Sequence, residues 1–466
     1  MLTQEQTQDI FSRIRRHSTA DEVELLIGGG RNALTRFANN TIHQNVAEEN
    51  YVISVRSVFA GRTARADTNG LDEESLRRVV EASETLARVQ EPDSDLLPVA
   101  SPVECGNVPG QDSKAPGRAF SETSDLGPQE RAAGVAKIVD IAKRHKLTAA
   151  GIFSSSETME SVLNSRGMST YHQQTSAEIS VTMLAEDSSG WQKANSPDVR
   201  NLHPAALGEI AAAKAMNSSK PTELPPGKYT VILEPAAVLD LVGFMFWDWG
   251  GQAILDERSF LTGRVGTRLF GPNIDIWDDA YHPLQSGSPF DGEGVCRQRI
   301  QLVNQGRIER LVYARGTAKK VQQSADAAKV GPIEATGHGL PIPNELGEMP
   351  QNIVLSAADG SAPRSIGEMV GSTERGILVT RLWYIREVDP YEKILTGMTR
   401  DGTFLVENGK VQGGIRNFRF NQSLIQMLSS VGEMTAPVRA SGEESFDMIV
   451  PGMKVSGFNF TEVTRF

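Results

Sequence analysis

Cysteine is almost absent from this chain: Cys105 and Cys296 are the two, and neither belongs to a Cys-x-x-Cys pair. That excludes a disulfide scaffold and a thiolate zinc knuckle, and it suits a reducing compartment. No stretch approaches the length of uninterrupted apolar residues that a membrane span needs. The opening MLTQEQTQDIFSRIRRHS lacks a signal peptide's apolar run and small-residue cleavage site, and reads as an amphipathic helix. Positive charge is the minority, with 47 Lys and Arg against 58 Asp and Glu. A duplex-binding footprint needs clustered Lys and Arg, so nucleic acid is not an expected partner. Cytoplasmic, with no membrane partner, is the expectation these absences leave.

What is present can build real cores. The 466 residues are 39% hydrophobic and 23% charged, too long for one ordinary domain and comfortable for two or three. The first half contains an internal echo. TRFANNTIHQ (35–44) is followed by YVISVRSVFAGRTARADT and the helical LDEESLRRVVEASETLARV. SVLNSRGMSTYHQ (161–173) is followed by AEISVTMLAEDSSGWQKANS and HPAALGEIAAAKAMN. Each copy reads as a polar turn, a strand ending in His-Gln, an Ile-Ser-Val strand, a hairpin and a helix. Two βββα units, at about 21–91 and 147–217, are expected to pack as a pair of sheet-and-helix layers. Between them, residues 92–128 carry six prolines and four glycines and are expected to lie over the surface. IGGG (27–30) lacks the spacing of a phosphate loop and reads as a strand-end turn.

The segment SSKPTELPPGKY (218–229) reads as a linker, because paired prolines deny both helix and central strand. Beyond it, short strands alternate with the turn signals NQGR (304–307), RDGT (400–403) and ENGK (407–410). The expected fold class is α+β: an N-terminal α+β domain over residues 1–222, then a β-rich, barrel-like domain over 227–466. That second domain opens with a strand and a helix spanning 235–249, PAAVLDLVGFMFWDW, apolar on nearly every side. Such a helix belongs inside a core or between partners. Its charges, Asp240 and Asp248, should share roughly one side.

FDGEG (290–294), IQLVNQGRIERLVYARGTAKK (300–320), EATGHG (334–339) and the long block 374–424 carry a further signal. With them the whole chain resembles the TldD/PmbA metallopeptidase family, also called the modulator of DNA gyrase family. The resemblance implies, for the catalytic branch, a His-Glu-x-x-x-His helix that binds zinc together with a cysteine near the C-terminus, the Glu acting as general base. Here no histidine occurs between His203 and His282, and the tail ASGEESFDMIVPGMKVSGFNFTEV has no cysteine. The resemblance therefore implies the ligand-free, TldE (PmbA)-type subunit, with no metal ligand and no catalytic residue of its own. Zinc would belong to a TldD-type paralogue in a heterodimer, and unfolded or leader peptides would be cleaved in a shared chamber. A homodimeric peptide-binding scaffold, or an autonomous peptidase using His338 or His282 with nearby carboxylates, are the alternatives.

Six residues are candidates for a peptide groove or vestigial site: Asp240, Phe244, Trp247, Asp291, Glu293 and His338. Asp291 and Glu293 could be an acid pair near the old site, or a turn between strands. His338, between glycines and near Glu334, reads first as an exposed turn histidine. Cys296 reads as a lone, buried structural thiol. His43 and His172 hold matching places in the two copies, which implies a shared structural role. Trp383 and Tyr384 alternate with Leu382 and Ile385, as a strand with one face in a core would.

Overall fold

The computed structural model describes residues 1–105, 117–325, 327–358 and 362–464. It opens with the amphipathic helix α1 (Gln4–His17), closed by a reciprocal Thr3–Gln6 cap and burying Ile10 and Ile14. Strands β1 (Glu22–Ala38), β2 (Thr41–Phe59) and β3 (Arg62–Thr68) follow, then helix α2 (Glu73–Val89). A single turn, α3 (Ser121–Ser124), leads to the second round. There α4 (Pro128–Arg144) precedes β4 (Thr148–Asn164), β5 (His172–Leu184), β6 (Ser189–Ser196) and α5 (Pro204–Asn217). The duplicated βββα units are present, and each has an additional helix in front.

The two copies do not form separate layers. β1 and β4 pair antiparallel from Glu24–Asn164 to Phe37–Gly151, making one six-stranded sheet in the order β3-β2-β1-β4-β5-β6. Strand alternation sends Leu25, Ile27, Ile53 and Val55 into a core with Ile14, Leu76 and Val80 of the first copy's helices. Ile179 and Val181 meet Ile138 and Ala211 in the matching core of the second copy. The other face is not simply solvated: Glu24, Ser54 and Arg56 are buried there too. Its cover is the second half of the chain, reached for example by Arg65, which donates to the Ile342 carbonyl at 2.8 Å.

Three expectations change in this half. His-Gln and Ile-Ser-Val lie on one strand in each copy, β2 and β5, because no breaker separates them. Gly29 and Gly30 sit inside β1 rather than at its end, with φ of 138° and 150°. A Cβ on Gly29 would stand 2.2 Å from the Asn50 carbonyl oxygen, and one on Gly30 2.1 Å from that of Glu157. Both flanking strands therefore press on the run, and glycine is the residue that fits. The loop after α2 is also more than a surface strap. Val99 and Ala100 are fully buried, and Pro98 and Glu104 bind Arg315 of the second half. Residues 106–116 of that loop lie outside the described residues.

The second half starts at β7 (Gly227–Leu233), which passes into helix α6 (Pro235–Val242). It forms a six-stranded and a nine-stranded sheet, with β7 inside the larger one between Met453–Val463 and Arg375–Val379. A large apolar core containing Val231, Phe418, Phe420 and Phe460 sits between these elements. The curled, β-rich architecture is thus as the sequence reads. Asn-Gly at 408–409 makes a true hairpin, with φ of 51° and 74° joining the paired strands Thr403–Glu407 and Lys410–Gly414. Asp-Gly at 401–402 has the same left-handed backbone, but the strands it connects pair with other neighbours.

Candidate functional site

Pro235 at the first helical position starts α6 directly after β7. The helix ends sooner than the apolar pattern suggests, since Gly243–Asp248 tightens into a 3-10 segment. At this point the chain passes hard against the C-terminal tail: a Cβ on Gly243 would lie 1.9 Å from Ser445 Oγ. Asp240, fully buried, clamps the same segment. Its Oδ1 accepts from the backbone N–H of Glu443 (3.1 Å) and Glu444 (2.9 Å), while Oδ2 has no hydrogen-bond partner. Burial pushes its carboxyl up to about 7, against the pull of those two amides and of Arg381.

The tighter winding redirects the residues that follow. Trp247 is 49% exposed and Phe244 is half-buried, so the helix is not apolar and buried all round. Asp248 does not share a side with Asp240, for it binds Lys393, which also binds Glu387. Helix and tail do meet, where the family likeness would put a metal. The side chains there do not fit one. Asp240 leaves one free carboxylate oxygen, whereas a catalytic zinc site needs three protein ligands. Among the described residues no group of three or more His, Cys, Asp or Glu is placed to hold a metal ion.

Trp247 faces a cleft of about 440 Å³ between the covered face of the first sheet and the second half. Glu160 of β4 and Gln174 of β5 line one side; Arg297, Arg439 and Phe446 line the other. Asn195 of β6 ties this junction together by bonding both Arg439 and Asp447. Of the sequence candidates, the structure brings Trp247 to this cleft and Asp240 to the tail behind it. Glu160 and Arg297 were not among those candidates. Nothing local in TMESV or VCRQR marks them, and only the fold brings β4 opposite residue 297.

Of the remaining candidates, Asp291 lines an adjoining cavity that Glu160 and Arg297 share. Asp291 accepts from the backbone N–H of Glu293 and Val295, both at 2.9 Å, and of Gly339 at 2.8 Å. Glu293 pairs with Arg315 at 3.2 Å. Burial raises both carboxyls, and the charge of Asp291 raises Glu293 further. His338 is not an exposed turn residue: it is 1% exposed, with Nε2 3.0 Å from Asp278 Oδ1 and Nδ1 3.0 Å from Thr336 Oγ1. Glu334 turns outward to Arg310 at 2.8 Å. Burial would raise Asp278, yet His338, Arg297 and the Asn352 amide bring it below its ordinary value. Cys296 is disulfide-bonded and half-buried, so it is neither a lone nor a buried thiol.

His43 and His172 differ in surroundings. His43 is exposed on the free end of β2, whereas His172 is half-buried, and loss of water lowers its imidazole pKa. Duplication fixed their positions but not their neighbours. Leu382 and Ile385 are buried as expected, and Tyr384 swings out to 52% exposure at φ 55° through a bulge between Trp383 and Arg386. No helix among the described residues is long and apolar enough to cross a membrane.

Sequence families described as PmbA/TldA metallopeptidase domain 1, central domain and C-terminal domain match residues 23–87, 123–218 and 226–462. The metalloprotease PmbA of Escherichia coli O157:H7 is 20% identical over 413 residues, covering 85% of this chain and 83% of that protein. An uncharacterized Methanocaldococcus jannaschii protein is 23% identical over 201 residues, so this chain spans only 47% of its length. The crystal structure of TldE from Thermococcus kodakarensis superposes with a TM-score of 0.84 at 19% identity, over 98% of this chain and 100% of that one. At that identity the likeness speaks for the fold.

Proposed function

The chain belongs to the PmbA/TldD metallopeptidase family, and within it we propose that it is the metal-ligand-free, TldE-type subunit of a two-component cytoplasmic peptidase. One observation carries the reading. α6 and the tail converge as a metal-binding pair of elements would, but the junction is made of an aspartate holding two backbone amides and a glycine against a serine. Such a junction is built for closure, not for a Lewis acid.

Zinc and the general base would come from a TldD-type partner, and this chain would supply one wall of the chamber that admits unfolded or leader peptides. Its own residues would orient peptide: the cleft offers separated acidic and basic groups beside Trp247 and Phe446. Among the described residues, the outer strands β3 and β6 of the first sheet pair on one side only, an arrangement that suits capture of an extended chain with little regard for side chains. An autonomous site at His338 has little support, since its imidazole is enclosed with Asp278.

The test is cleavage of an unfolded peptide by the purified chain, by a zinc-motif paralogue, and by their mixture. Cleavage appearing only on mixing is the expected result. Chelator-sensitive cleavage by this chain alone would overturn the reading, and no cleavage in any arm would favour a peptide-binding scaffold.

A further inference from the structure

Two opposite charges line the cleft without forming an ion pair, although Arg297 also acts on Asp278 and Asp291, and Ser288 stands beside Glu160. Glu160 is solvent-accessible yet walled by protein on most sides, so its carboxylate stands in the cleft and not on an open surface. Arg297 is 6% exposed; Nη1 donates to the Gly337 carbonyl (3.3 Å) and Nη2 to Gln351 Oε1 (2.7 Å), while Nε has no acceptor. Glu160 and Arg297 line the same cleft but stay beyond the 4.0 Å of an ion pair. The other opposed charges there, Arg439 and Asp447, satisfy each other at 3.3 Å and share Asn195.

A buried donor without an acceptor is costly, and two opposite charges that could attract but stay apart leave room for something between them. A lone acid would suit a cation and a lone guanidinium an anion. The pair, held apart, suits a ligand that offers one N–H and one C=O, as a peptide main chain does. Trp247, 49% exposed on the same cleft, provides a broad apolar surface for the adjoining side chain at little entropic cost.

We propose that Glu160 and Arg297 hold the main chain of an extended peptide, Glu160 accepting a peptide N–H and the positive Arg297 guanidinium attracting a peptide C=O, with a neighbouring side chain on Trp247. This assignment rests on the reading of the chain as a chamber wall. It makes recognition depend on the backbone, and tolerant of which residue is presented.

The experiment uses fluorescence anisotropy of the full chain with one probe, a short fluorescein-labelled Ala-Ser-Gly peptide carrying a central Phe, acetylated and amidated at its ends. Glu160→Gln is the main variant, because Glu160 has no ion-pair partner whose loss would disturb the fold; thermal melts accompany every protein. Loss of a charge-assisted hydrogen bond should weaken binding roughly tenfold. A probe N-methylated on the main chain beside the Phe should bind the wild-type chain as weakly as the ordinary probe binds E160Q, and should lose nothing more on E160Q. Trp247→Ala should weaken both probes. Three results would each overturn the assignment: E160Q binding the probe as tightly as wild type, binding that requires a free terminal amine or carboxylate, or no binding by wild type. Partner-dependent cleavage surviving any of these would leave the chamber reading standing while removing this one.

Discussion

Replacing Asp240 with Asn tests the clamp between α6 and the C-terminal tail. An acid with a raised folded pKa binds its proton more tightly when folded. Its contribution to stability is therefore fully present below the unfolded value and is lost as pH rises through the folded one. For Asp240 that window runs from its ordinary 3.8 to about 7. At about 1.4 kcal/mol per pH unit, the deficit above pH 7 reaches roughly 4 kcal/mol at most. Asn keeps an oxygen for the Glu443 and Glu444 amides, has no charge to bury, and gives up only the attraction of Arg381. D240N should thus melt several degrees higher than wild type at pH 8, each kcal/mol being worth about 2–4 °C in a unit of this size. At pH 5, little more than one unit above the unfolded value, the gap should shrink to about 1.6 kcal/mol, and it should close only below pH 3.8. The assay is a thermal melt followed by circular dichroism at both pH values. A variant less stable at pH 8, or an increment that ignores pH, would refute the argument.

Gly29→Ala puts a methyl group against the Asn50 carbonyl inside a sheet paired on both sides, and should cost about 3 kcal/mol or more, read as a lower urea midpoint. Gly28→Ala, next to it but with open space around its Cβ position, should be nearly neutral in the same titration. His338→Ala strands Asp278 in the core and should cost about 3–5 kcal/mol at pH 7. Asp278, held below its ordinary value by this pair, loses its share of stability as pH falls through its folded value. The gap between wild type and variant should accordingly persist down to about pH 4 and narrow below about 3.8 in melts.

The pattern of residues carried the broad architecture well. Duplication was legible because Ile-Ser-Val recurs in matched surroundings, and Asn408-Gly409 declared its hairpin through a backbone few other residues adopt. Long-range pairing was not legible. His338 looked like a loop histidine because Asp278, its partner, is on a strand sixty residues earlier. Trp247 is a groove candidate in the sequence, but its exposure is not legible there, because helical spacing does not hold past Gly243, where the backbone tightens. Glu160 carried no signal of its own, since the wall opposite it comes from a different part of the chain. Local patterns report an element's own faces, whereas a cleft is made by two elements that only the fold introduces.

The most direct test of the central claim is the zinc content of the purified chain, by elemental analysis, beside that of its zinc-motif paralogue prepared the same way. Stoichiometric zinc is expected in the paralogue and only trace zinc here. One tightly held zinc per copy of this chain, removed only by a chelator, would contradict it.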